Sequence, residues 1–311
     1  MKTVMLVLKI AVSVLLLLLV ISFVDIHEMR LKLMTADPFW LTLSLIALAC
    51  QFVISMLRWH DVCAALRLDM SYRNALSLGL VGQLFNQILP TNLGGDGVRV
   101  LAMSRHGWPW TGAARTVLVD RAIGLLFIIG VAAISLLVAL VSGQPAIPRG
   151  GLILAVVGGL LLTAIVLIAV AAPHAERLKE RFAVLRPVAW GLSGLREALT
   201  SPRWTAPILA KALLVHLLLV QSFCFLAAAL GMEISRELYM LMTLIILASA
   251  FPLSFAGWGV REGAAVTGLA LIGVGATEAV LIAVLHGVGQ IVVGLLGIIW
   301  VPFWLFGSRD P

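Results

Sequence analysis

Charge is scarce in this chain. Only 12% of its 311 residues are Asp, Glu, Lys or Arg, while 61% are hydrophobic. Soluble domains carry about 25% charged residues, so a water-soluble globule is excluded. Cysteine is scarcer still. Cys50, Cys63 and Cys224 lie in or beside predicted helices with no CxxC spacing, which excludes a disulfide framework. The six histidines are scattered without HExxH spacing, so no metal site and no cofactor is expected. No Ser-His-Asp or paired-carboxylate constellation stands out, and nothing positive points to catalysis. The stretch Gly94-Gly95-Asp96-Gly97 is not followed by Gly-Lys-Ser/Thr and sits in no strand-helix unit, which removes a nucleotide loop.

What the chain does contain is repeated apolar runs of the length that spans hydrocarbon, about 20 residues. Its mean hydropathy is +1.09. Spanning helices are expected over 4–24, 39–57, 112–141, 151–172, 208–230 and 278–306. The first has an early lysine and a leucine run, like a signal peptide. Its apolar stretch exceeds the usual 7–15 residues and no A-x-A site follows, so a retained helix is expected.

Two further segments are interrupted. The first runs 74–89, breaks at 90–97 and resumes over 98–106; the second runs 237–251, breaks at 252–259 and resumes over 260–273. Each piece is too short to cross about 30 Å of hydrocarbon at about 1.5 Å per residue, so each segment reads as a re-entrant hairpin. The breaks share one template. Pro90, Gly95, Gly97, Val98 and Arg99 correspond to Pro252, Gly257, Gly259, Val260 and Arg261 at identical spacing. Three crossings between the copies make an inverted repeat, a common plan for transporters. The first repeat core covers 74–141 and the second 237–306, within a single membrane domain over 1–311.

The net charge of +7 fits this topology. One face collects Lys2, Arg58, Arg67, Arg73, Arg105, Arg115, Arg196, Arg203, Lys211 and Arg309, together with the basic stretch 173–207. The other collects Arg30, Lys32, Arg149 and Arg236. The positive-inside rule assigns the first face, with both termini, to the cytoplasm of an inner membrane, and makes nucleic acid an unnecessary partner. Residues 173–207 are expected to lie on the anionic leaflet or to form a solvated connector. Trp108, Trp110, Trp300 and Trp304 are expected in interfacial belts.

Irregular backbone at membrane depth lines a polar cavity or is buried in protein. Helices restarting near Gly97 and Gly259 would present open N–H groups and a partial positive charge, an arrangement that binds phosphate. Gly94, Gly95 and Gly257 leave those groups accessible, and Asn92 lies beside them. Arg99 and Arg261 add guanidinium forks suited to phosphate oxygens. Asp96 and Glu262 either meet a cationic group or neutralise the arginines. Asp120 and Arg121 are charged residues inside a span and, as helix neighbours, point toward different partners. Asn86, Gln87, Gln290 and His286 are further polar groups at depth, where a helix–helix hydrogen bond is the alternative role.

The segments "NQILPTNLGGDGVR", "VLVDRAIGL" and "FPLSFAGWGVREG" resemble the transmembrane flippase domain of lysylphosphatidylglycerol synthases and its stand-alone relatives. The resemblance covers nearly the whole chain. It implies movement of a lipid between leaflets, with membrane lipids as partners and a separately encoded lipid-synthesising enzyme as another. It carries Pro90, Gly94, Gly95, Asp96, Arg99 and Arg121 into the first-repeat positions, and Pro252, Gly257, Gly259, Val260 and Glu262 into the second. The synthase activity, which belongs to a soluble domain, is not carried over. Where similar proteins often have an arginine in the last helix, this chain has His286. The expected function is binding and flipping of an anionic phospholipid or carrier lipid, as a monomer or oligomer. An ion-coupled anion transporter and an accessory subunit of a lipid-modifying or glycosylation pathway are the alternatives, and a membrane-embedded transferase is a weaker one.

Overall fold

The computed structural model describes residues 25–89, 94–141, 186–250 and 258–306. The helices expected over 4–24 and 151–172 lie outside them, as do Asn92, Gly257 and most of both breaks. The described residues are mostly helical: α1 (Ile26–Met34), α2 (Pro38–Ala65), α3 (Tyr72–Ile88), α4 (Gly94–Arg105), α5 (Trp110–Val141), α6 (Arg186–Leu199), α7 (Thr205–Ala229), α8 (Arg236–Ser249), α9 (Val260–Leu269) and α10 (Ala276–Leu295). Among them, α2, α5, α7 and α10 with its 3-10 extension are long and apolar enough to span a membrane. These are the four described spans expected from the sequence. The short pairs α3–α4 and α8–α9 are the two hairpins.

Local sequence sets the ends of these helices. Ser71 caps α3 by accepting from the Asn74 N–H, and Ser235 caps α8 by accepting from the Leu238 N–H, each at 3.2 Å. The two hairpins therefore open on the same residue in the same role. Asp37 caps α2, where Pro38 occupies the first turn that tolerates it.

The repeat is larger than its sequence core. The helix before each hairpin belongs to it, giving units α2–α3–α4–α5 and α7–α8–α9–α10. Neighbour relations match across the two: α3 packs on α10 as α8 packs on α5, and α2 packs on α7. The α2–α7 pair is antiparallel. The Asp37 N–H donates to the Ala229 carbonyl at 2.9 Å, Ser44 Oγ donates to the Ser222 carbonyl at 2.9 Å, and Lys211 pairs with Asp61 at the far end. Corresponding helices running in opposite directions make the repeat an inverted one.

Two cores form, each drawn mainly from one unit. Trp59, Leu78, Met103 and Val117 pack together in the first, and Phe223, Met242, Leu269 and Ile282 in the second. Lipid tails are as apolar as these side chains, so close backbone approach matters more than burial. A Cβ on Gly297 would collide with the Leu80 carbonyl, and one on Gly294 would reach the Leu84 backbone at 3.4 Å, so these glycines let α10 and its extension lie against α3.

Ion pairs and hydrogen bonds also tie the helix ends. Lys32 pairs with Glu278 at 2.8 Å on one side, while Arg115 pairs with Glu197 at 3.1 Å and Arg105 donates to the Leu305 carbonyl on the other. The hydrogen bond it donates to the Glu278 carboxylate holds the Lys32 ammonium above its ordinary pKa.

Four expectations need correction. α2 does not end at 57 but continues to Ala65, and Arg58 is buried inside the protein instead of standing on the charged face. The last span is not one helix over 278–306: α10 gives way to a 3-10 turn (Leu296–Trp300) and a π turn (Pro302–Phe306). Trp304 is no belt residue; it is 1% exposed and its Nε1 donates to Ser77 Oγ. In the connector, the described part forms α6, which sends Leu195 and Ala198 into a third core with Val119 and Ile208, so it is docked and not merely solvated.

Candidate functional site

A cavity of about 480 Å³ lies between the repeats, within the range of about 300–1,000 Å³ usual for ligand sites. Helical periodicity builds its polar wall. On α3, Gly79, Gly82, Gln83, Asn86 and Gln87 fall on one face, and on α2 Gln51, Ser55 and Arg58 do the same. Of the residues singled out from the sequence, Arg99, Arg121, Arg261, Asp120, His286, Asn86, Gln87 and Gln290 line this cavity. Gly94, Gly95, Gly97, Gly259, Asp96 and Glu262 are not among its lining residues.

The two repeated arginines are seated alike. Arg99 and Arg261 are 5% and 4% exposed. Each guanidinium lies over an indole: Arg99 over Trp59 at 3.8 Å, Arg261 over Trp258 at 4.7 Å. Such cation–π contacts contribute about 0.5–2 kcal/mol. Each also depends on a glycine in a neighbouring helix. A Cβ on Gly82 would strike Arg99 Cδ at 2.6 Å, and one on Gly287 would strike Arg261 Nη2 at 2.5 Å.

Their acidic neighbours act as counter-ions. Glu262 Oε1 accepts from Arg261 Nη2 at 2.7 Å and from Nε at 3.1 Å. Its Oε2 accepts from the Gly259 N–H at 2.5 Å, half of a capping box, since glycine has no side chain to answer it. Asp96 serves two guanidiniums: Oδ2 accepts from Arg121 Nε at 2.6 Å, and Oδ1 accepts from Arg121 Nη2 and Arg99 Nη1, each at 3.2 Å. Arg121 lines the cavity with 45% of its side chain exposed. Asp120, its neighbour in sequence, turns instead to Arg58, whose Nε donates at 2.8 Å. The divergence expected of adjacent helix residues is what the structure has.

The helix starts differ from the expected cradle. α4 begins at Gly94, so Arg99 sits in its second turn and not at its mouth. The Gly95 N–H is already given to Asn86 Oδ1 at 2.8 Å. That donor and the Gly259 N–H are both engaged within the protein. α9 does begin beside Gly259, whose φ of +89° favours glycine. Gly259→Ala should therefore lower stability by about 1–3 kcal/mol, read as a lower unfolding temperature in detergent; an unchanged temperature would remove that backbone requirement.

Several site residues escaped the sequence reading. Arg58 looked like a flanking cation, and Trp59 and Trp258 were not singled out. Gln51, Gln83 and His216 also line the cavity. Spacing on a helix face would have found the glutamines once α3 was placed. The partner of Arg58 is far away in sequence and gave no signal. His286 is held on both sides, Nδ1 lying 3.4 Å from Ser222 Oγ and Nε2 3.1 Å from Gln290 Nε2, and its ring stacks on Phe223 at 3.8 Å.

The family model for the lysylphosphatidylglycerol synthase TM region matches residues 6–297. The chain belongs to that family. The family is a membrane domain associated with lipid modification and flipping. The match runs through both hairpins and every helix that lines the cavity. Searches among curated proteins and among solved structures gave no match.

Proposed function

We propose that this protein binds the anionic headgroup of a membrane lipid in the cavity between its repeats and carries it from one leaflet to the other. The observation that carries this reading is Arg99. It lines the cavity, it is buried, and among the described residues its Nε and Nη2 have no hydrogen-bond partner. An unsatisfied buried polar group costs about 1–3 kcal/mol, more when charged, and phosphate oxygens would satisfy both nitrogens at once. Arg121, the more exposed guanidinium, meets the headgroup first; Asp96 holds it in line with Arg99. The acyl tails stay in the bilayer while the head passes, and exposure alternates as one repeat moves against the other.

Charge asymmetry supports an inner-membrane protein with both termini in the cytoplasm. Membrane lipids are its partners, and a separately encoded lipid-synthesising enzyme is a fitting supplier. Lipid scrambling in proteoliposomes tests the reading. Arg99→Gln with Arg261→Gln should slow headgroup exchange at least about tenfold, the effect of about 1.4 kcal/mol at the barrier. Wild-type rates in the folded double variant would overturn it.

A further inference from the structure

The cavity's charges can be paired off. Arg58 is matched by Asp120 and Arg261 by Glu262. Asp96 is held by Arg121, so Arg99 has only a share of it and keeps two nitrogens without acceptors. Among the described residues the cluster is thus four guanidiniums against three carboxylates. The two breaks, 90–93 and 251–257, contribute no ionisable residue. One further negative charge completes the set.

Among the described residues the same pairing leaves no carboxylate for a cation: Asp120 is the one in the lining, and it is bonded to Arg58. An ammonium entering the cavity would add positive charge to a positive cluster at membrane depth, where uncompensated charge is most costly.

The remaining polar wall is neutral. Gln51, Gln83 and Gln87 line the cavity and make no side-chain hydrogen bond among the described residues. A carboxamide offers two donors and an acceptor, and a hydroxyl offers both in return. Sites built to bond hydroxyls reject analogues that lack them, because the protein's own groups are then stranded.

Resting on the anionic-headgroup reading above, we infer that the cavity selects a phosphodiester of single negative charge whose other polar groups are hydroxyls, a polyol or sugar head, and discriminates against heads that carry an ammonium. Arg99 takes the phosphate, and Gln83 and Gln87 read the hydroxyls.

Native mass spectrometry of the full chain, offered an equimolar lipid panel, tests this. The panel is phosphatidylglycerol, phosphatidylmethanol (the same charge without hydroxyls), phosphatidylethanolamine and lysylphosphatidylglycerol. Phosphatidylglycerol should be retained at least about tenfold over each of the others, a difference of one decade in affinity. Gln83→Leu with Gln87→Leu should bring it down to the level of phosphatidylmethanol and leave phosphatidylmethanol unchanged. Equal retention of phosphatidylglycerol and lysylphosphatidylglycerol, or of phosphatidylglycerol and phosphatidylmethanol, would overturn the inference while lipid binding stands. If soluble glycerophosphoglycerol binds and none of the lipids does, the headgroup chemistry stands and the lipid reading falls. Retention of none of the five would overturn both.

Discussion

Asp96→Asn should be among the most damaging single changes in the protein, costing about 3–5 kcal/mol, the range for breaking a buried ion pair from one side. Asp96 is 6% exposed and is the carboxylate on which Arg99 and Arg121 converge. The asparagine keeps the shape and removes the charge, so the loss belongs to electrostatics. Arg121 is partly exposed and contributes less, which sets the expectation toward the lower end. The check is thermal unfolding of purified protein in one detergent. Adding Arg99→Met to Asp96→Asn should recover part of the loss, since the stranded buried cation goes with it. An Asp96→Asn protein that melts like the wild type would mean that the guanidiniums do not depend on this carboxylate.

The second large effect is steric. A Cβ on Gly95 would overlap the Gly82 carbonyl and approach Asn86 Cγ at 2.7 Å. Backbone atoms cannot rotate away, so α3 and α4 would have to separate. Gly95→Leu should therefore prevent recovery of a monodisperse folded protein, and Gly95→Ala should lower the unfolding temperature sharply. Two residues on, Gly97 has nothing within 4 Å of its Cβ position. Gly97→Ala should be tolerated or raise stability by about 0.5–1 kcal/mol, the ordinary gain of alanine inside a helix. Similar outcomes at both positions would rule out this account of the hairpin's crossing.

The contrast between Gly95 and Gly97 shows where sequence reading stopped. The two arginines of the repeated template, Arg99 and Arg261, are both buried and line the cavity. Spacing cannot say which glycine meets a carbonyl, because that is fixed by the angle at which α3 crosses α4. Arg58 is a similar case. At the edge of an apolar run it has the look of a cation leaving the membrane, and only its pairing with Asp120, 62 residues away, holds it inside. Asp120 and Arg121 were legible because helix geometry alone dictates that neighbours diverge. Trp59 and Trp258 were not, since an aromatic beside a cation in sequence says nothing of an aromatic beneath one in space. Trp304 misled because tryptophan near a chain end suits an interface, and Ser77 gave its indole N–H a reason to be buried.

The antiparallel α2–α7 pair is tied at both ends, by the Asp37–Ala229 backbone bond on one side and the Asp61–Lys211 ion pair on the other. Two rods pinned in this way cannot slide like a piston in a sleeve without breaking an anchor, but either can roll about its own long axis with both anchors kept. The pair is thus built as an axle. If the headgroup transport proposed above holds, the cavity would open to one side and then the other by a swing of the flanking hairpins about this pair.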